Sequence, residues 1–265
     1  MNLNLIAISN TDPNKTHLAK SLAEQLNLVW LPNPTDLVAH QYAYILVFTT
    51  DYLGLQKTSE KKFAPFYIDF LSAKMRYRSK QAGLRNERLA RAIGIKPSET
   101  PRIIDATAGL GRDSYILAKL GYQVTMLERS PILYAMLQDA LIRAQQDSFA
   151  APFCEKISLI FTDAITWLKQ LAAKNYPEVI YLDPMFPERK KSASVKKEML
   201  ILQDLLQKDI DTEELFQTAH ACATKRVVVK RSRFAEKISA HPPSFSIAGT
   251  SSRFDVYLTN SKREL

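Results

Sequence analysis

Two short constellations in this chain hold residue types that can do chemistry together. The first, Asp105-Ala106-Thr107-Ala108-Gly109-Leu110-Gly111-Arg112-Asp113, sets two closely spaced glycines between acids. Glycines at 109 and 111 let the backbone turn sharply and let a ligand approach the main chain, while a helix starting at Asp113 offers unpaired N–H groups. The second is Asp183-Pro184-Met185-Phe186-Pro187. A planar exocyclic amine is a poor nucleophile because its lone pair is delocalised into the ring. Two acceptors that take both N–H bonds would aim that lone pair at a methyl donor. Asp183 and the Pro184 carbonyl are such acceptors, proline fixes the turn and removes a competing N–H, and Phe186 offers a face for stacking a base, worth about 1–3 kcal/mol.

Holding these residues in place requires strands that end where they begin. Arg102–Asp105 reads as a buried strand finishing on an acid, residues 113–120 begin a helix, and Gln123–Glu128 is a second strand finishing on an acid. Ser130 supplies an N-cap and Pro131 suits the first turn of a helix over residues 132–144. Ile157–Phe161 leads to Asp163 and Val179–Leu182 leads to Asp183, so four successive strands run into a carboxylate. Ligands of open α/β sheets bind beyond the carboxyl ends of the strands, where these acids gather. Residues 226–230 form a fifth strand, and residues 244–247 with 254–258 make a closing hairpin around Gly249. The fold class is α/β: a doubly wound, mostly parallel, seven-stranded Rossmann-like sheet with an antiparallel member at its end. A dinucleotide fingerprint would want a third glycine or alanine where Ser114 stands, which weighs against NAD. Glu128, seventeen residues after Gly111, is placed to accept the hydroxyls of a ribose, and Asp163 would sit beside an adenine.

The remainder of the chain frames this core. A strand over residues 3–9, an amphipathic helix Thr16–Leu26 with Leu18, Leu22 and Leu26 on one side, and a strand over residues 43–48 mark residues 1–65 as a small α/β subdomain. Residues 66–100 are a basic connector, and residues 101–265 the main domain. No window approaches the roughly 18 uncharged apolar residues of a membrane span, so a soluble cytoplasmic protein is expected. Cys154 and Cys222 form neither a disulfide framework nor a metal pair, and His17, His40, His220 and His241 form no ligand-spaced cluster, so no metal is expected. The formal charge of +9 is uneven: from Lys74 to Lys96 there are eight Lys or Arg against one acid, Glu87. A second cluster, Arg189, Lys190, Lys191, Lys196 and Lys197, follows the Asp183 turn. One basic run is often just a solvated face. Two runs flanking one candidate site favour a polyanion, and nucleic acid is the commonest. Arg76, Arg78, Lys80, Arg85, Lys190, Lys191, Lys196 and Lys197 are the candidate RNA contacts.

Residues 105–113 match motif I of class I methyltransferases, and Asp183 to Phe186 resembles the Asp/Asn-Pro-Pro-Tyr/Phe turn of amino-methylating members, with Met185 in place of the second proline. With the Leu127-Glu128-Arg129-Ser130-Pro131 step and the stretch from Tyr181 to Met199, the chain resembles the ribosomal RNA small subunit methyltransferase J family from about Tyr67 through Tyr257. That family methylates guanine N2 in 16S rRNA. The resemblance implies S-adenosyl-L-methionine as donor and S-adenosyl-L-homocysteine as product. It implies donor contacts at Arg112, Asp113, Glu128, Arg129, Asp163, Ala164 and Asp183, beside Asp105, Gly109 and Gly111 of the glycine loop. Asp183, Pro184 and Phe186 would serve the acceptor base. The implied partner is 16S rRNA or the small ribosomal subunit. No heptad seam marks an obligate oligomer, so a monomer is expected, with no membrane and no metal. Small polar residues are common in the family where Asp163-Ala164 stand, which points to their backbone as the adenine contact. The same turn would serve methylation of adenine N6 or cytosine N4 in DNA or RNA, and a non-catalytic rRNA-binding assembly factor could keep the fold.

Overall fold

The computed structural model describes residues 5–34, 41–60, 64–184, 211–238 and 241–259. Phe186, Lys190, Lys191, Lys196 and Lys197 lie outside the described residues. Two compact units are present: one takes in Met1–Asp69 and Ser130–Arg143, the other Phe70–Arg129, Ala144–Met185 and Asp209–Leu265.

In the first unit, β1 (Ile6–Asn10) leads through a 3-10 turn into α1 (Thr16–Leu26), followed by β2 (Val29–Leu31), β3 (Tyr44–Phe48) and β4 (Leu53–Lys57). The sheet order is β2-β1-β3-β4; β1 is parallel to β2 and β3, and β4 closes the sheet antiparallel to β3. Ala7, Leu31, Ile45 and Val47 form its core. The buried face of α1 differs from the leucine stripe expected from sequence. Ala19 and Ala23 are the buried residues, while Leu18 is 40% exposed. Small side chains let a helix backbone come close to a sheet, and the leucines are left on the flanks.

The second unit begins with α2 (Ala73–Gln81) and α3 (Arg88–Ile93), so much of the basic connector is helical. Ser72 caps α2 through its Oγ, which accepts from the Met75 N–H at 3.4 Å. Only Met75 and Ser79 of α2 are buried, too thin an apolar stripe to reveal a helix in the sequence. The chain then runs β5 (Arg102–Asp105), α4 (Arg112–Lys119), β6 (Gln123–Glu128), α5 (Pro131–Gln145), α6 (Ala151–Cys154), β7 (Ile157–Phe161), α7 (Ala164–Gln170), β8 (Val179–Leu182), and, among the described residues, α8 (Thr212–Cys222), β9 (Arg226–Ser232), β10 (Phe245–Ala248) and β11 (Ser252–Leu258).

These seven strands lie in the order β10-β11-β9-β8-β5-β6-β7. The central members are parallel, and β11 runs antiparallel to both β9 and β10. The antiparallel member is thus inserted beside the edge strand, where the sequence pattern had put it at the end. Val227, Val228 and Val229 are fully buried, as are all four residues of β8, the continuous apolar runs of strands covered on both faces. From β5 the chain winds outward through β6 and β7, then returns to the opposite side of β5 with β8. The direction of winding therefore reverses between β5 and β8. A crevice beyond the carboxyl ends at such a reversal is where ligands of this architecture bind, and both chemical constellations begin there, at Asp105 and Asp183.

Candidate active site

The loop after β5 is held by its own first residue. Asp105 is buried; one carboxylate oxygen accepts the Thr107 N–H at 3.1 Å and the other the Ser114 hydroxyl. Ser114, at the position where a dinucleotide fold needs glycine, thus ties the first turn of α4 back to the strand end. Burial pushes the Asp105 carboxyl up to about 7, against the lowering effect of those two hydrogen bonds. Gly109 and Gly111 both adopt left-handed backbone, φ +54° and +66°, and Gly111 is the N-cap of α4. Among the described residues, a Cβ placed on Gly109 would have only the Thr107 carbonyl oxygen nearby, at 3.7 Å, so its dihedral angles are what require glycine there.

Glu128, the last residue of β6, is 6% exposed and accepts the Gly109 N–H at 3.0 Å. The two halves of the candidate donor site, separated by 19 residues in the chain, are thereby joined by one charge-assisted hydrogen bond. Asp163 caps α7 by accepting the Thr166 N–H at 2.9 Å, and Ala164 is the buried first residue of that helix. Arg129 lies 2.5 Å from Asp211 and 3.8 Å from Asp163. Capping engages one oxygen of Asp163, and the Asp163 carbonyl accepts the Trp167 N–H at 3.0 Å. Arg112 opens α4 beside Asp113.

Around Asp113 and Asp183 the site is built from side chains brought together over long distances. Asp113 receives three donors: Arg78 Nη1 on one oxygen at 2.7 Å, and the Tyr181 hydroxyl and Lys230 Nζ on the other, each at 2.7 Å. Lys230 also donates to Asp183 Oδ2 at 2.8 Å. The Asp183 backbone N–H is bound to Thr107 Oγ1 at 2.6 Å, so the glycine loop and the Asp183 turn share a direct hydrogen bond. In parallel β8 and β9, Leu182 pairs with Val229, which places Asp183 and Lys230 side by side just past that pair. Burial would raise the Asp113 carboxyl, but Lys230 and Arg78 hold it well below the usual carboxylate range. Asp183 is shifted the other way: desolvation and the like charge of Asp113 raise it despite Lys230. The same two carboxylates hold Lys230 above its ordinary value against the lowering effect of burial.

Of the residues singled out from sequence, the structure brings Asp105, Gly109, Gly111 and Glu128 into one bonded loop system, and Asp113 and Asp183 into another. Both oxygens of Asp113 are taken by protein donors. Arg78 serves that network and Glu87, at 3.3 Å, while Arg76 pairs with Asp147 at 2.6 Å; Lys80 and Arg85 are exposed. Lys230, Tyr181 and Thr107 were not selected from sequence. The signal that could have found Lys230 is a lysine directly after the buried valine run Val227-Val228-Val229, inside β9 and level with the strand ends where the acids gather. Among the described residues there is no group of three or more His, Cys, Asp or Glu able to hold a metal ion, and no helix long and apolar enough to cross a membrane.

The arrangement suits an adenosyl donor. A buried carboxylate at the tip of β6 matches a ribose diol, and left-handed glycines let a ligand approach the backbone. Residues 31–259 match a family described as "Putative SAM-dependent methyltransferase". The chain is 44% identical over 248 residues to ribosomal RNA small subunit methyltransferase J of Aeromonas salmonicida, covering 93% of this chain and 95% of that protein. It is 42% identical over 254 residues to the protein of the same name from Thioalkalivibrio sulfidiphilus, covering 96% and 98%. Among solved structures, an SAM-dependent methyltransferase from Neisseria gonorrhoeae matches with a TM-score of 0.73 and 30% identity over 96% of both chains.

Proposed function

This chain belongs to the ribosomal RNA small subunit methyltransferase J family, and from that premise we propose that it methylates the exocyclic N2 amine of one guanosine in 16S rRNA, acting as a cytoplasmic monomer. S-adenosylmethionine is its methyl donor. The observation that carries the reading is Asp183, fixed at the end of β8 by its own N–H and by Lys230, with a side chain that stays 40% exposed. When bound, S-adenosylmethionine supplies an electrophilic methyl group on a sulfonium centre.

The protein's own residues then divide the work. Glu128 and the Gly109 backbone hold the donor's ribose, and the Asp163-Ala164 backbone meets its adenine. Lys230 occupies Asp183 Oδ2, leaving Oδ1 to accept one N–H of the target amine while the Pro184 carbonyl accepts the other. An ionised carboxylate is acceptor-only, whereas a protonated one would point an O–H at the amine, so Lys230 keeps Asp183 in the form that orients the lone pair. Lys230 is a positioning residue in this scheme. Phe186 stacks the guanine, and Lys190, Lys191, Lys196 and Lys197 take phosphates. The base must leave its stack to enter, which costs least in a loop or single strand.

Transfer of labelled methyl groups to 16S rRNA and to 30S subunits from cells lacking this enzyme, followed by nucleoside identification, tests the reading. One N2-methylguanosine per RNA is expected. Label in N6-methyladenosine or N4-methylcytosine would overturn the base assignment.

A further inference from the structure

The cations of α2 fall into two groups once the helix is in view. At 100° per residue, the buried Met75 and Ser79 lie on one side, with Arg76 and Arg78 on its two flanks. Those flanking arginines reach Asp147 and Asp113, both at bonding distance. The opposite arc, about 120° wide, carries Ala73, Lys74, Tyr77, Lys80 and Gln81, all exposed. Tyr77 is 69% exposed, between two lysines, on a face with no acidic residue. Arg85 is exposed just past the helix end, beside Leu84 at 43%. An aromatic ring set among cations matches single-stranded RNA on both counts, with a π-face for a base and ammonium groups for the flanking phosphates. The helix is also anchored to the active site, because Arg78 on its flank bonds Asp113, and Asp113 shares Lys230 with Asp183.

We propose that the outer face of α2, formed by Lys74, Tyr77 and Lys80 and continued by Arg85, is an RNA-docking ridge on which Tyr77 stacks an unpaired nucleobase near the target guanosine. This rests on the rRNA reading above, and it shifts the docking role from Arg76 and Arg78 to residues on the opposite arc. The arginines fix the helix; the lysines and the tyrosine meet the RNA.

Binding of the full-length protein to protein-free 16S rRNA across a salt series tests this apart from catalysis. Tyr77→Ala should weaken binding about 5-fold to 150-fold, the range for one lost base stack, while Tyr77→Trp retains it. The Lys74→Gln/Lys80→Gln double variant should flatten the slope of log affinity against log salt by about 0.7 per lysine. Melting temperature should not move for Tyr77→Ala, whose side chain is 69% exposed, and S-adenosylmethionine affinity should not move in either variant. Wild-type affinity and salt slope in both variants would overturn the ridge, whatever the methylation result. A flattened slope with no effect of Tyr77→Ala would overturn the stacking role. A wild-type protein that binds rRNA through this face but transfers no methyl group would instead overturn the methylation reading and leave the ridge standing.

Discussion

The proposed donor side and the proposed acceptor side of this site are built by different means. On the donor side, Asp105, Gly109 and Gly111 fall within seven residues, and one contact to Glu128 completes the assembly with a backbone N–H. On the proposed acceptor side, four charged side chains, Asp113, Lys230, Arg78 and Asp183, and the Tyr181 hydroxyl meet from four separate stretches of chain. Backbone-built sites hold a ligand's invariant parts and tolerate exchange of neighbouring side chains. A side-chain network fixes charge and orientation, and loses both when one member goes. Binding of the donor should therefore depend on the first region, and the rate of transfer on the second.

Lys230→Met tests that division most severely. It removes a donor from the buried Asp113 carboxylate, and breaking such a pair costs about 3–5 kcal/mol, with the lower end expected because Arg78 and Tyr181 remain. It also removes what counteracts the raised Asp183 carboxyl. The acidic limb of the pH–rate profile should move to higher pH, and Lys230→Arg should restore part of both effects. A profile with an unmoved acidic limb would separate Lys230 from the chemistry.

Glu128→Gln should act on binding alone. Hydrogen bonds to a charged group are worth about 1.5–3 kcal/mol, so calorimetry should show donor affinity falling roughly 10-fold to 100-fold, with the rate at saturating donor little changed. A fall in that rate equal to the fall in affinity would erase the distinction between the two sides.

A different kind of effect, on stability and not on turnover, is expected at Asp105. Its carboxyl is raised from 3.8 to about 7, so the folded protein retains a proton that the unfolded chain gives up earlier. Its contribution to stability is therefore greatest below about pH 4 and declines as pH rises toward about 7. Asp105→Asn, whose amide can keep both the Thr107 and Ser114 contacts, should unfold with a shallower pH dependence across that window in denaturant titrations. An unchanged slope would mean that Asp105 ionises freely in the fold.

The same contrast explains what the sequence made visible. Strands β5, β6, β7 and β8 stand out because each ends at a carboxylate or within two residues of one, and the glycine loop because its residues are contiguous. Helix α1 was also visible, although its buried face was misplaced, since periodicity marks the leucines and cannot see that alanines let the helix approach the sheet. Strands β2 and β4 are short and lack strong alternation, and α2 hides behind its charges. The Asp113 network joins residues 35, 68 and 117 positions apart, and no local pattern encodes such a meeting. For the same reason Arg76 and Arg78 looked like free cations until their carboxylate partners were placed.

The account turns on Asp183 orienting the acceptor amine, and single-turnover transfer to 16S rRNA at saturating S-adenosylmethionine measures that step directly. Asp183→Asn keeps the size of the side chain but replaces one acceptor with a donor, and the rate should fall about 10²-fold to 10³-fold, as when a preorganised polar contact to the reacting group is lost. A rate within a few-fold of the wild type would contradict the assignment of Asp183 as the residue that positions the amine.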